Sequence, residues 1–253
     1  MAFFRVPNQS YRWLFAEMTV VVLGILIAFQ IEEWRQDSVE RGVANANLEA
    51  ILFELEDELF DINDIINDSS AAPRAAAELA NFIINDESRD EEWIIQTYAE
   101  AISISQFRPN SPTYTGLRET GQFYLVADYT LRAELFDYYE FSAYIDLLAQ
   151  TRTKNRQDLL DIARTDIFPV PAKQAATGEL FRELYIVKPI EDFPRHPEFL
   201  GAISILGSTM NSWIPNLEGM RDRNMALQQS IRDHLASEGI EPVIPERSNQ
   251  RGQ

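Results

Sequence analysis

The feature that most constrains this chain is a long apolar stretch near its beginning, from Trp13 to Trp34 (WLFAEMTVVVLGILIAFQIEEW). Between Met18 and Ile31 the chain is apolar at all but three positions. As an α-helix, the whole stretch would be about 33 Å long at about 1.5 Å per residue. That length matches a bilayer hydrocarbon core of roughly 30 Å, so the sequence predicts a transmembrane helix over residues 13–34.

Aromatic residues stand at both ends of this stretch, where membrane-boundary anchors are expected. Tyr11 and Trp13 lie at one end and Trp34 at the other. The residues after the apolar run, Gln30 to Glu33, lack a small-x-small cleavage pattern. We therefore predict an uncleaved signal anchor. A core helix buried in its own fold and a cleaved signal peptide are the alternatives.

The charges around the stretch predict its orientation. Arg5 and Arg12 precede it, and no acidic residue comes before Glu17. The positive-inside rule then favours a cytoplasmic N-terminus, formed by residues 1–12. This predicts a single-pass protein of the bacterial inner membrane, with its main domain in the periplasm.

One stripe of the predicted helix has the composition of a helix-packing interface. Glu17, Val21, Gly24, Ala28 and Ile31 share a face at about 100° per residue. Within it, Gly24 and Ala28 form a small-x-x-x-small pair, which lets a second helix approach closely. For Glu17 two interpretations stay open: it reaches the lipid headgroups, or it meets a donor on a neighbouring helix.

Two segments resemble a bacterial family of single-pass membrane proteins of unknown function. The first is GILIAFQIEEW with Glu17 before it, and the second is residues 114–139. The chain departs from the family pattern at Ala16, where the family has Gly, and at residues 32–33, Glu-Glu in place of Asn-Asn. The resemblance implies a membrane-anchored protein and implies no activity. The anchor positions that match the family pattern are Glu17, Gly24, Ile25, Leu26, Ile27, Ala28, Gln30, Ile31 and Trp34.

The rest of the chain is strongly acidic. Residues 1–42 hold four of the 22 basic and five of the 40 acidic residues, which leaves a net charge of −17 on the remainder. Such a domain repels nucleic acid, so we expect no nucleic-acid partner. With no cysteine in the chain, disulfides, thiol catalysis and thiolate metal sites are excluded.

Beyond a possible break at Gly42, apolar residues recur at helical spacing. The first row has spacings of 4, 3, 4, 3 and 4 from Leu48 to Ile66, with acidic residues expected on a solvated outer face. We see no strand-like alternation and predict an all-α fold: a single N-terminal transmembrane helix followed by an extramembrane helical bundle of about five to seven helices over residues 43–239. A polar tail, residues 240–253, should follow. The helices predicted after the first row are 73–84, 91–105, 113–121, 128–165 and 197–239.

No stretch of the sequence carries a recognisable catalytic motif. The patterns H-E-x-x-H, G-x-S-x-G, G-x-G-x-x-G and the P-loop are all missing, and there are two histidines. We therefore predict a protein that is not an enzyme, with no catalytic, cofactor-binding or metal-binding residues and no cofactor.

The sequence favours a non-catalytic accessory or structural subunit of a larger membrane complex, such as a respiratory, transport or photosynthetic assembly. Its partners would be other membrane protein subunits, reached through the transmembrane helix and the acidic domain, together with the lipid bilayer. The alternative is a periplasmic sensor or ligand-binding module with a pocket among the aromatic residues of 114–144.

Overall fold

The computed structural model describes residues 9–85, 87–163, 167–171, 182–186 and 197–242. The described part of the chain is mostly helical, which confirms the all-α prediction. A 3₁₀ turn at Gln122–Leu125 and two short strands complete it. The helices are α1 (Gln9–Ser69), α2 (Ala72–Ile84), α3 (Glu91–Ala101), α4 (Pro112–Glu119), α5 (Tyr129–Ala163) and α6 (Pro197–Ser237), and the strands are β1 (Ile167–Pro171) and β2 (Arg182–Ile186).

Helix α1 is unbroken over 61 residues, which makes it about 90 Å long. The predicted break at Gly42 is wrong, because the helix continues through this residue. A single glycine inside a helix costs about 1 kcal/mol, which a helix stabilised by packing on one side tolerates. The apolar stretch and the first helix of the bundle are therefore one element.

Burial changes abruptly along α1. Every side chain from Trp13 to Val39 is exposed, whereas Ala44 and Leu48 are buried. From Ala44 onward, the residues of the predicted apolar row turn one face of α1 into the bundle. The described chain therefore has a helical segment that stands outside the bundle and a bundle with its own core.

Two apolar clusters fill the bundle. The first lies where α1, α5 and α6 pack together, and Leu55, Leu135 and Leu217 are fully buried in it. The second joins α2, α3 and one half of α6. Helices α2 and α6 approach closely at Gly207, where an added Cβ would lie 3.1 Å from the Cβ of Ala76.

The two strands were not expected from the sequence. They pair antiparallel, with Ile167 opposite Ile186 and Pro171 opposite Arg182. Proline cannot donate a ladder hydrogen bond, but in a two-stranded ladder both strands are edges, where proline is tolerated. The two prolines hide β1 from a search for apolar alternation, and β2 (RELYI) shows no such alternation. The predicted tail from residue 243 onward lies outside the described residues.

Gly121 and Asp128 shape the turn that precedes α5. Gly121 adopts a φ of 69°, a left-handed conformation that glycine reaches without strain. The predicted start of a helix at residue 128 agrees with the structure, where Asp128 caps α5: its Oδ1 accepts hydrogen bonds from the backbone N–H groups of Thr130 (2.8 Å) and Leu131 (3.1 Å). These bonds satisfy two amides that the helix itself leaves unpaired.

Replacing the cap should destabilise the bundle measurably. We expect Asp128→Ala to lower the free energy of unfolding by about 1 kcal/mol, because two amides of α5 lose their acceptor. Chemical denaturation of the full chain in detergent micelles, followed by circular dichroism, measures this. The matched control is Asp158→Ala, an exposed position near the other end of α5. Equal effects of the two substitutions would contradict the capping role.

Candidate functional site

The exposed part of α1 has the properties of a membrane span. Its apolar window has a mean hydropathy of 2.2 and is 0% buried. Trp13 and Trp34, the predicted boundary anchors, are each 69% exposed; the side chain of Tyr11 lies outside the described part. The chain thus has one helix that is long and apolar enough to span a membrane. No described residue of the chain covers this segment, which disfavours the alternative of a core helix buried in its own fold.

The five residues of the predicted interface all lie on this exposed segment. Glu17, Val21, Gly24, Ala28 and Ile31 are part of the same unbroken helix, and each is exposed. Apart from the adjacent residues and the backbone of the helix itself, no atom of the described chain comes within 4 Å of a Cβ built at Gly24. The structure therefore leaves room for a second helix at this face, and the partner itself remains a prediction.

A second notable feature is a buried carboxyl group inside the bundle. Glu58 of α1 is 5% exposed. The hydroxyl of Tyr138 on α5 donates a hydrogen bond of 2.5 Å to its Oε2, and the backbone N–H of Asn110 is a further donor. The expectation that the acidic residues of α1 face solvent is wrong for Glu58. Its position one helical turn from Leu55 and from Ile62 places it on the inner face.

Hydrogen bonds extend from Tyr138 along α6 to the surface. Asn224 Nδ2 donates to the Tyr138 hydroxyl (2.9 Å) and to the carbonyl of Leu55 (3.0 Å). Asn224 Oδ1 accepts from Gln228 Nε2 (2.7 Å), and Gln228 Oε1 accepts from Arg232 Nη2 (2.9 Å). The same Arg232 nitrogen also bonds Glu56. Since Asn224, Gln228 and Arg232 are one turn apart, a polar row on α6 joins the buried acid to a surface ion pair.

Burial dominates the electrostatics of Glu58. The pKa of this carboxyl is raised from its ordinary value of 4.5 to about 7; burial is the largest cause, and the nearby charges of Asp61 and Glu54 act in the same direction. The hydrogen bonds from Tyr138 and from the Asn110 amide act in the opposite direction. The group therefore exchanges its proton near neutral pH.

The raised pKa predicts a pH-dependent stability. The folded pKa of Glu58 lies above the unfolded value, so the protonated form is favoured by folding. Its contribution is complete below about pH 4.5 and is lost as the pH rises through about 7. A shift of this size corresponds to about 3 kcal/mol at most.

We expect Glu58→Gln to remove this pH dependence, because glutamine stays neutral in the same place. Thermal unfolding of the full chain in micelles between about pH 5 and pH 8 measures the effect. The wild-type chain should lose more stability over this interval than the variant. Glu49→Gln, an exposed position on α1, is the matched control and should behave as wild type. Parallel curves for the wild-type and Glu58→Gln chains would refute the assignment.

A second buried charged residue of the bundle is Arg152 of α5. Arg152 is 1% exposed, and its guanidinium carbon stands 4.0 Å from the ring centroid of Trp213. One nitrogen donates to the carbonyl of Ser105, while Nε and Nη1 find no hydrogen-bond partner among the described residues. Burial lowers the pKa of Arg152 to about 10. The aromatic face supplies electrostatic compensation, and the bond to Ser105 ties the loop before α4 to α5.

The aromatic residues of 114–144 divide into two groups. Tyr114 stacks on Tyr139 with ring centroids 3.9 Å apart, and Phe123 meets the edge of Tyr114 at 5.5 Å. These rings fill the core between α4 and α5. Tyr124 and Tyr129, in contrast, are exposed. An open crevice of about 210 Å³ between α5 and α6 reaches Tyr138 and is lined mainly by polar residues, including Glu134, Asp137, Arg223 and Ser230.

The buried polar residues were missed by sequence reasoning, although a signal was present. Glu58 is not a member of the apolar row of α1, but it lies three residues after Leu55 and four before Ile62, which are; Arg152 continues the row of α5 three residues after Ala149. Asn224 sits between Met220 and Leu227 in the row of α6. A polar residue at a core spacing is the pattern that identifies each of them.

Comparison with family models, curated proteins and solved structures gives no match. In the described residues, no group of three or more His, Cys, Asp or Glu side chains is arranged to hold a metal ion. The resemblance to a bacterial family of single-pass membrane proteins therefore stays a prediction.

Proposed function

We propose that this chain is a non-catalytic accessory or structural subunit of a larger membrane protein complex, anchored by α1. The observation that supports this proposal best is the fully exposed apolar segment of α1, which continues without a break into the core of the bundle. Water does not tolerate such a surface, whereas a bilayer and a neighbouring helix both cover it. The family resemblance of the anchor is in keeping with this function.

The buried charged residues of the bundle also support the proposal. Glu58 and Arg152 are both engaged in holding helices and loops together, by hydrogen bonds to Tyr138 and to Ser105. Their roles are structural, and the proposed function is assembly rather than chemistry. The alternative of a sensor with a pocket among residues 114–144 receives less support, because Tyr114, Phe123 and Tyr139 pack against one another.

The exposed stripe of α1 should determine partner binding. We expect Gly24→Ile to abolish most co-purification of a partner from mild detergent, because the larger side chain prevents close helix approach. The chain itself should stay in the membrane fraction after a carbonate wash. Val22→Ile, on the opposite side of the same helix, should leave the complex intact. A wild-type chain that purifies alone, without a second subunit in constant ratio, would overturn the proposed function.

The proposed location is the bacterial inner membrane, with residues 1–12 in the cytoplasm and the bundle in the periplasm. The positive residues Arg5 and Arg12 support this orientation. We expect protease added outside spheroplasts to digest the bundle, because it would face the medium. Disruption of the spheroplasts is the control. A bundle that resists until the membrane is broken would reverse the orientation.

A further inference from the structure

Two carboxyl groups on neighbouring turns of α1 hold the start of α4. Glu54 accepts hydrogen bonds on Oε1 from the backbone N–H of Thr113 (3.1 Å) and from the hydroxyl of the same residue (2.5 Å). One turn further along α1, the carboxyl of Glu58 accepts a hydrogen bond from the backbone N–H of Asn110. The turn that leads into α4 is therefore bonded to α1 at both of its ends.

Helix α4 depends on these bonds because its own N-terminal residues do not cap it. Ser111 occupies the N-cap position, but its side chain makes no capping hydrogen bond. The first helical residue is Pro112, which has no N–H group, so the amide of Thr113 is the first that needs an acceptor. Glu54 supplies this acceptor from another helix. The start of α4 is thus completed only by contact with α1.

Both ends of this part of the chain are well defined. The carbonyl of Ser105 is bonded to Arg152 of α5, which fixes the chain before residue 106. After α4, Gly121 adopts a φ of 69°, at the turn that follows the helix. We call residues 106–119, which lie between these two points, the α4 segment. A rotation at its ends would move it away from α1 without breaking α1, α5 or α6.

The α4 segment is also the part of the bundle that is least costly to open. Its buried apolar side chains are Phe107, Tyr114 and Leu117. Helices α1, α5 and α6, in contrast, bury many apolar side chains against one another in the first cluster. Local opening follows the smallest loss of buried apolar contact, so water reaches Glu58 most easily by displacement of the α4 segment.

The surroundings of Glu58 favour its protonated form. The pKa of this carboxyl is raised to about 7, with burial as the largest cause, and the charges of Glu54 and Asp61 act in the same direction. On the α6 side, Asn224 is a neutral amide bonded to Tyr138. The titratable groups packed around Glu58 from α1, α4 and α5 are Glu54, Asp61, Tyr114, Tyr138 and Tyr139. The charged side chains of the crevice that reaches Tyr138 are Glu134, Asp137 and Arg223.

We infer that the α4 segment is a pH-sensitive flap, which stays on α1 while Glu58 carries its proton and opens when Glu58 loses it. Once ionised, Glu58 is a buried carboxylate one turn from Glu54, and opening of the segment hydrates it. The closed form is therefore fully stabilised in mild acid, and this stabilisation is lost as the pH rises through about 7. Opening exposes Tyr114 and Leu117. The inference does not depend on the proposed function.

The absence of cysteine from the chain makes a single reporter thiol possible. Leu117→Cys places it on the inner side of α4, where the wild-type residue is 3% exposed. Thr115→Cys, an exposed position of α4, corrects for the pH dependence of the thiol reaction. In the full chain in detergent micelles, labelling by 4,4′-dithiodipyridine at Leu117→Cys relative to Thr115→Cys should increase about tenfold from about pH 5.5 to 7.5.

Two controls separate the flap from other causes. Glu58→Gln, combined with each reporter, should keep the labelling ratio constant over this interval, because glutamine does not ionise. Leu79→Cys on α2, a fully buried position of the second cluster, reports unfolding of the whole bundle and should stay protected. A constant ratio in the chain with Glu58, an equal increase in the Glu58→Gln chain, or an equal increase at Leu79→Cys would each overturn the inference.

Hydrogen exchange tests the same motion without a reporter thiol. In the wild-type chain, exchange in residues 106–119, corrected for its intrinsic pH dependence, should accelerate with pH more than exchange in α2. Glu54→Ala should accelerate it about fivefold already at pH 5.5, because the amide of Thr113 loses its acceptor. Equal pH dependence of the α4 segment and α2 in the wild-type chain would refute a local flap.

Discussion

The covalent continuity of α1 is the constraint on which the rest of this structure depends. One helix of 61 residues supplies both the exposed apolar segment and the first wall of the bundle core. Its backbone amides and carbonyls are paired within the helix, which is what allows a chain to cross hydrocarbon. At Ala44 the same helix begins to bury side chains of its own chain. An exposed apolar segment and a segment packed into the bundle therefore follow each other along one element, with no loop between them.

Within the bundle, polar groups are buried where three helices meet. Glu58, Tyr138 and Asn224 belong to α1, α5 and α6, and each is bonded to at least one of the others. A buried polar group that loses its partner costs about 1–3 kcal/mol, so an altered register of any of these helices would be penalised. Apolar residues alone would permit several registers. The hydrogen bonds make one arrangement of the three helices the preferred one.

Much of this fold was predictable because apolar periodicity is local. The rows on α1, α5 and α6 were visible in the sequence, and Asp128 as the start of α5 follows from capping chemistry that concerns neighbouring residues. The burial of Glu58 was not predictable in the same way. Its donor, Tyr138, is 80 residues away, and composition favoured solvent for an acid among many acids. Strand β1 was missed because prolines interrupt the expected alternation, and β2 (RELYI) does not alternate between apolar and polar residues. Gly42 was mistaken for a break because tertiary packing overrides propensity.

Because α1 is one continuous helix, the number of residues between Trp34 and Ala44 fixes both the height of the bundle above Trp34 and its rotation about the helix axis. Between Trp34 and Ala44 the helix rises about 15 Å at about 1.5 Å per residue, so the lower edge of the bundle stands off the interface by that distance. Adding a single residue to this stalk would lift the bundle slightly but would swing it by about 100°. Adding seven residues would return the bundle to nearly its original orientation about the helix axis. In the proposed membrane assembly, the number of residues in this stalk would therefore determine which side of the bundle faces a neighbouring subunit.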